Sequence, residues 1–191
     1  MLANGIGGFG MGTVSGANTR RYHGVLVAAT DAPTTRMVLL AGFETYVVVG
    51  GQSYGLSTNQ YVGAVHPQGY AYLSSFTCDD YAEWTWTLAE GEFRKRIAVH
   101  PGVNAATIQY SNLGKNPVQL TLRPLVSHKF YHDNFRLADF YPEFLVFPED
   151  RTVLSHQGVM LSLWPPQAER TPTTGWYYRF EHQRESERGL D

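Results

Sequence analysis

Cysteine, net charge and long apolar runs are all scarce in this chain, and each scarcity excludes a class of protein. The lone Cys78 cannot form an internal disulfide, so a disulfide-stapled secreted fold is excluded and a reducing cytoplasm is the expected setting. The net charge of −2 gives no electrostatic footprint for nucleic acid or an anionic membrane. Arginine outnumbers lysine by 12 to 3, which favours planar, multi-bond recognition of oxygen-rich groups and partner surfaces. No apolar run approaches the length that spans a bilayer.

Helical periodicity is also largely missing, whereas the two-residue alternation of strands recurs. Trp84, Trp86 and Leu88 alternate with polar residues, and Gly50-Gly51 separates two strand-like runs as a hairpin turn does. Many such short runs, punctuated by Gly, Pro, Asn and Asp, predict one all-β domain, an antiparallel sandwich or barrel. The predicted strands are residues 25–29, 37–49, 52–56, 84–88, 93–99, 106–110, 118–122, 144–147, 152–155, 159–164 and 175–181.

Three stretches are interpreted by composition alone. Residues 127–142 mix aromatic, histidine and charged side chains without a clean period, which is typical of a long functional connection. Residues 181–191 are highly charged and lack apolar anchors, so we expect a surface helix or the start of a linker. Trp84 and Trp86, two tryptophans on one strand face, are interpreted as core.

Several chemical motifs fail on their context. Gly5-x-Gly7-x-x-Gly10 matches a dinucleotide-binding fingerprint, but no strand precedes it and the residues that follow form helices poorly. His128 and His132 have the spacing of zinc ligands without the glutamate of the metalloprotease pattern, and Cys78 lies beside two aspartates that disfavour a thiolate. We therefore expect no metal site, no cofactor and no nucleophilic enzyme of these classes.

The strongest signal is a polar block that follows a glycine-rich run. The block runs Asn18-Thr19-Arg20-Arg21-Tyr22-His23-Gly24, and Asn4 precedes it among the glycines. Glycines allow other atoms close to the backbone, and the block concentrates hydrogen-bonding groups. A loop that faces a ligand or another domain is the interpretation we favour, although a solvated strand end is the common alternative.

The chain resembles a known family over nearly its whole length. The residues that carry the resemblance are Asn4-Gly5-x-Gly7-Gly8, Gly12 to Leu26 with the polar block, Gly69-Tyr70-x-Tyr72-Leu73-x-x-Phe76, Arg123-Pro124-Leu125-Val126 and Glu187-Arg188-Gly189-Leu190-Asp191. In order and spacing they look like the N-terminal domain of bacterial and archaeal glycogen debranching enzymes of the amylo-α-1,6-glucosidase type. The polar block is specific to that family, whereas the individual glycines are not.

This resemblance implies a large β-sandwich of the supersandwich type, likened to the galactose mutarotase fold and found before glycosidase (α/α) barrels. The barrel that carries out hydrolysis of the α-1,6 branch is absent, and Asp191 falls about where the family passes toward it. Glycoside hydrolysis needs two carboxyl groups across the scissile bond, and the resemblance assigns them to the barrel. We expect this chain alone not to hydrolyse glycogen.

The implied partners are the catalytic barrel of the same polypeptide and α-glucan. Residue type and the matching motif together give the candidate substrate-binding or interface residues, with no catalytic residue among them: Asn4, Asn18, Thr19, Arg20, Arg21, Tyr22, His23, Arg123, His128, Tyr131 and His132.

Two other functions stay open at this point. A free-standing carbohydrate-binding module would bind maltooligosaccharides without a barrel. A mutarotase-like enzyme would pair a histidine such as His23, His128 or His132 with Glu44 or Glu181 to exchange a proton with the sugar, but no spacing selects such a pair.

Overall fold

The computed structural model describes residues 1–134, 143–147, 151–165, 167–171 and 175–190, with the backbone alone for 143–147. Strands dominate it, at 55% of residues against 5% helix, so the prediction of an all-β sandwich-type fold is confirmed. Every strand pair is antiparallel. Within the described ranges, no helix has the length and apolar character needed to cross a membrane.

The strands are β1 (Leu2–Ala3), β2 (Phe9–Met11), β3 (Gly24–Asp31), β4 (Thr35–Val49), β5 (Gln52–Gly55), β6 (Thr58–Tyr61), β7 (Ala64–Gln68), β8 (Leu73–Cys78), β9 (Ala82–Leu88), β10 (Gly91–Val99), β11 (Ala106–Asn112), β12 (Gln119–Phe130), β13 (Glu143–Phe147), β14 (Arg151–His156) and β15 (Val159–Leu163). A 3-10 turn covers Gly69–Tyr72, and one short helix, α1, covers Gln183–Ser186.

The larger sheet has the order β1-β2-β3-β4-β12, with β5 folding back on β4. The β4–β5 pairing forms the hairpin expected at Gly50-Gly51, where both glycines have positive φ angles of 58° and 79°. Strand β4 is 15 residues long and pairs with β12 from Val48 opposite Gln119 to Met37 opposite Phe130. This long pair forms the spine of the fold.

A second sheet, of order β11-β10-β9-β8, packs its inner face on the larger one. One buried cluster contains Val47 and Val49 of β4 together with Trp84, Trp86 and Phe93 of the second sheet, which is the interior of a sandwich. Trp84 is 8% exposed and Trp86 4%, so their assignment to the core is confirmed.

A three-stranded sheet, β13-β14-β15, and the β6–β7 hairpin complete the fold. Leu161 of β15 joins Leu26, Leu39 and Leu40 in a second buried cluster, so the small sheet packs on the larger one. Of the predicted long connection, residues 127–130 belong to β12, and residues 135–142 lie outside the described ones.

The prediction of a strand at residues 175–181 is wrong. Within it only an isolated bridge joins Phe180 to Tyr61, and the backbone bonds around it run from Val62 N–H to the Arg179 carbonyl and from Glu181 N–H to the Gln60 carbonyl. The aromatic composition that suggested a strand instead supports side-chain stacking, with the Phe180 and Tyr61 ring centroids 5.0 Å apart.

The charged C-terminal segment is anchored through a polar residue. Helix α1 lies within the segment predicted to be a surface helix or linker, but Glu185 in this helix is 0% exposed. The sequence predicted no apolar anchor at this end, and the buried residue of the helix is a carboxylate.

Removal of a core tryptophan should destabilise the chain far more than removal of an exposed one. We expect Trp86→Ala to lower the free energy of unfolding by about 3–5 kcal/mol, because it empties a large volume between the sheets. Trp164→Ala, at a side chain in a residue 65% exposed, should change it by less than about 1 kcal/mol. Urea unfolding followed by far-ultraviolet circular dichroism measures both, and equal effects would contradict the sandwich interior described here.

Candidate functional site

The polar block folds into a loop between β2 and β3 that is closed by its own hydrogen bonds. The His23 N–H donates to the Arg20 carbonyl at 3.0 Å, and the Thr19 N–H donates to His23 Nδ1 at 3.2 Å. The Asn18 side chain donates to the Ala41 carbonyl of β4 at 3.1 Å, which fixes the loop to the larger sheet. Asn18 and His23, which the sequence predicted to face a ligand or another domain, therefore hold the loop in place.

His23 is a buried structural acceptor in this loop, at 8% exposure. Burial, with smaller effects from the positive charge of Arg20 and from His182, lowers its pKa to about 4. Because Nδ1 accepts the Thr19 N–H, the ring is neutral with its proton on Nε2.

A buried lysine donates a hydrogen bond to the backbone of this loop. Lys129, at the end of β12 and 7% exposed, donates from Nζ to the Arg21 carbonyl at 2.7 Å and to the Asp133 carbonyl at 2.9 Å. Burial and the charge of Arg21 lower its pKa to about 8, while Asp133 and Glu185 act in the opposite direction. The ammonium group stays protonated at neutral pH and joins the polar block to the strand end.

A β-bulge explains why this lysine points inward. The β4–β12 register shifts between Val126 and Lys129, and His128 has a positive φ of 50°. His128 and Lys129 are both buried although neighbouring strand residues normally face opposite sides. The bulge therefore turns a charged side chain under the loop.

The C-terminal segment lies on the other side of the same loop. The Arg184 N–H donates to the Thr19 carbonyl at 3.0 Å, and the Asn134 side chain donates to the Leu190 carbonyl at 2.9 Å. Glu185 is close enough to raise the pKa of Lys129, and its Oε2 lies 3.9 Å from Nη1 of Arg188. Polar and charged contacts thus connect the first and last parts of the chain.

Side chains of the loop and of the end of β12 form what we call the Tyr22 cluster: Arg21, Tyr22, Phe130, Tyr131 and His132. The Tyr22 hydroxyl lies 3.1 Å from His132 Nδ1 and accepts a hydrogen bond from Arg21 Nη2 at 3.2 Å. The Tyr22 ring meets the Tyr131 ring edge-on at 5.5 Å. Phe130 is 39% exposed and His132 is also exposed.

The Tyr22 cluster combines aromatic faces with cationic and neutral hydrogen-bond donors at a rigid position. Arg36 adds a hydrogen bond to the Tyr131 hydroxyl at 3.3 Å, with its guanidinium 5.4 Å from that ring's centroid. Aromatic rings with polar edges suit either the apolar and hydroxyl faces of a sugar or a polar domain interface. None of the five side chains of the cluster carries a carboxyl group that could act as a reacting acid.

The remaining predicted residues lie elsewhere. The Asn4 side chain, 1% exposed, makes hydrogen bonds to Gly8, Ile6, Val103 and Asn104, so it joins the N-terminal turn to the second sheet's loop. His128 is buried near His156, and burial with that neighbour lowers its pKa to about 4.

Arg123 pairs across the spine with Glu44, at 3.0 Å between Nη1 and Oε2, and Glu44 also accepts a hydrogen bond from Tyr177. The histidine–glutamate pair that a mutarotase needs gains no support, since Glu44 is occupied by these partners and His132 bonds Tyr22. Glu181 meets the Gln60 amide at 3.5 Å.

Lys129 and Glu185 are the residues that sequence reasoning missed. Their partners are distant in sequence, so no short-range spacing pattern indicates them. One available signal was the scarcity of lysine, since Lys129 is one of three and lies in an otherwise aromatic stretch. Over the ranges that the structure covers, no group of three or more metal-ligating side chains occurs.

The comparisons with known proteins give one match. A profile of the protein family described as glycogen debranching enzyme N terminal matches residues 1–191. Searches of curated proteins and of solved structures returned no significant match.

The buried histidines should make stability depend on pH below neutrality. The folded pKa values of His23 and His128, about 4, lie below the unfolded value of 6.5, so between these values the unfolded chain binds more protons. Stability should fall as pH drops from 6.5 toward 4, by less than about 1.4 kcal/mol per pH unit for each histidine. Urea unfolding at a series of pH values measures this slope.

A matched pair of variants separates the buried histidines from the rest of the chain. His23→Asn keeps an acceptor near Nδ1 but cannot titrate, so its stability should fall less steeply over this range. His100→Asn, at an exposed histidine, should keep the wild-type slope. Equal slopes in all three proteins would show that His23 is not buried in its neutral form.

Replacement of the buried lysine should loosen both ends of the chain. We expect Lys129→Met to lower the free energy of unfolding by about 2–4 kcal/mol, because two carbonyls lose their donor and Glu185 loses a nearby cation. Lys115→Met, at an exposed turn, is the control and should change it by less than about 0.5 kcal/mol. A Glu185→Gln change should recover part of the loss in Lys129→Met, and strict additivity in this double-mutant cycle would contradict the coupling.

Proposed function

We propose, because the chain belongs to the family of glycogen debranching enzyme N-terminal domains, that it is a single, non-catalytic domain that packs on a helical hydrolase barrel. Its role is to stabilise that barrel and to line the edge of the α-glucan site. The reacting carboxyl groups come from the barrel. The setting is the cytoplasm, and no metal or cofactor takes part.

The non-catalytic part of the proposal is supported by the places of three acids in the described part of the chain. Glu44 is held by Arg123 and Tyr177, Glu83 by Arg94 and Arg96, and Glu185 lies near Arg188. A glycosidase needs one carboxyl group free to give a proton and a second across the scissile bond. Carboxylates held by guanidinium groups on separate elements are poor candidates for that pair.

The observation that carries the recognition role is the Tyr22 cluster itself. The polar block that defines the family resemblance is fixed by hydrogen bonds of Asn18, His23 and Lys129, yet Tyr22 and Arg21 stay partly open to solvent. The half-buried Tyr22 ring lies beside Tyr131 and His132 and leaves part of its surface available to a partner. Rigid placement of such rings lowers the entropy cost of binding a partner surface or a sugar.

Removal of the Tyr22 ring should weaken substrate use without unfolding the domain. In a debranching polypeptide that carries this domain ahead of its barrel, we expect Tyr22→Ala to raise the KM for a branched dextrin roughly 3- to 10-fold, with a smaller change in kcat. One lost aromatic contact of about 0.5–1.5 kcal/mol accounts for such a change. Glucose release measured over a range of dextrin concentrations gives both constants.

The control is Tyr81→Ala, at a 40% exposed tyrosine in the turn between β8 and β9 that contacts Arg96 instead. Its KM should match that of the wild type. An unchanged KM in Tyr22→Ala, together with an unchanged melting temperature of the complete polypeptide, would refute a role for the cluster in either substrate or barrel contact.

A further inference from the structure

A groove lies at the far end of the spine from the Tyr22 cluster. Tyr46, Ser53, His66, Gln68 and Tyr72 surround a space of about 370 Å³. This volume falls in the range of small-molecule sites, roughly 300–1,000 Å³. Phe130 of the Tyr22 cluster pairs with Met37 of β4, and Tyr46 is nine residues further along, so the two surfaces are about 30 Å apart along the strand.

The Gly69–Tyr72 turn builds one wall of this groove. A Cβ on Gly69 would lie 2.0 Å from the Leu56 carbonyl oxygen, so only glycine allows the turn to lie this close to the connection between β5 and β6. The close approach places Tyr72, 38% exposed, edge-on against Tyr54 at 5.4 Å. In the Gly69-Tyr70-x-Tyr72 motif, Gly69 thus permits the tight turn that places the Tyr72 ring at the groove.

Tyr46 forms the opposite wall, and the two charged side chains near it, Arg123 and Glu44, have opposite charges. The Arg123 guanidinium lies 5.7 Å from the Tyr46 ring centroid and pairs with Glu44. Burial and the Glu44 carboxylate raise the pKa of Tyr46, so its hydroxyl stays protonated as a donor. Arg123, the first residue of a second family motif, therefore supports this groove rather than the Tyr22 cluster.

We propose that this groove binds a short segment of neutral α-glucan, as a second contact surface separate from the Tyr22 cluster. Two tyrosine rings offer faces for the apolar side of glucosyl units, and the Ser53 hydroxyl, Gln68 amide and His66 imidazole offer hydrogen-bonding groups. The lining contains no carboxylate or guanidinium, which disfavours an anionic or cationic ligand. That the sugar is α-glucan rests on the proposed function.

Calorimetric titration of the 191-residue chain with maltoheptaose tests the groove. The wild type should bind maltoheptaose at millimolar concentrations, and Tyr72→Ala should weaken binding at least fivefold. The matched control is Tyr70→Ala, which removes a 45% exposed ring from the same turn but outside the groove lining and should change affinity less than twofold. Gln68→Ala, at an exposed residue with little risk to folding, should weaken binding at least twofold.

Each other outcome overturns the groove as an α-glucan site. These outcomes are no wild-type binding at millimolar maltoheptaose, an equal loss in Tyr70→Ala and Tyr72→Ala, or equal affinity for cellopentaose. Binding that is lost in Tyr22→Ala and retained in Tyr72→Ala would overturn the groove while leaving the proposed function intact. Binding at the groove together with an unchanged KM in the Tyr22→Ala debranching enzyme would support the groove and overturn the role proposed for the Tyr22 cluster.

Discussion

One buried ammonium group holds together the parts of this fold that are distinctive. Lys129 Nζ donates to the backbone on both sides of it, at Arg21 and Asp133, and its charge interacts with the buried Glu185 of the C-terminal helix. A buried charge is tolerated only when it is hydrogen-bonded and opposed by another charge. The first polar loop, the end of β12 and the last residues therefore form one cooperative unit.

The long β4–β12 pair carries an aromatic surface near each of its ends. At one end the pair delivers Phe130, Tyr131 and His132 to Tyr22, and at the other it places Arg123 and Glu44 behind Tyr46. The second sheet packs its tryptophans on the inner face and makes the spine stiff. The two aromatic surfaces therefore lie about 30 Å apart along the strand.

Local physics explains what the sequence could predict. Alternation at Trp84 and Trp86 and the Gly50-Gly51 turn are short-range signals, and both gave correct elements. Residues 175–181 share strand composition but meet β6 at one bridge only, between Phe180 and Tyr61, so composition misled there. The polar block was predicted to face a ligand or another domain. Its division into a buried His23 and a half-open Tyr22 involves Lys129 and the Arg184 N–H, which bond its backbone from distant parts of the chain.

The central claim is that this domain contributes surfaces and leaves bond cleavage to another domain. The most direct test is glucose release from a branched limit dextrin by the purified 191-residue chain, followed over hours with an enzymatic glucose assay. The account predicts no release above the buffer blank. Release at a rate near that of a complete debranching enzyme would contradict it, because the reacting carboxyl groups would then have to lie within this chain.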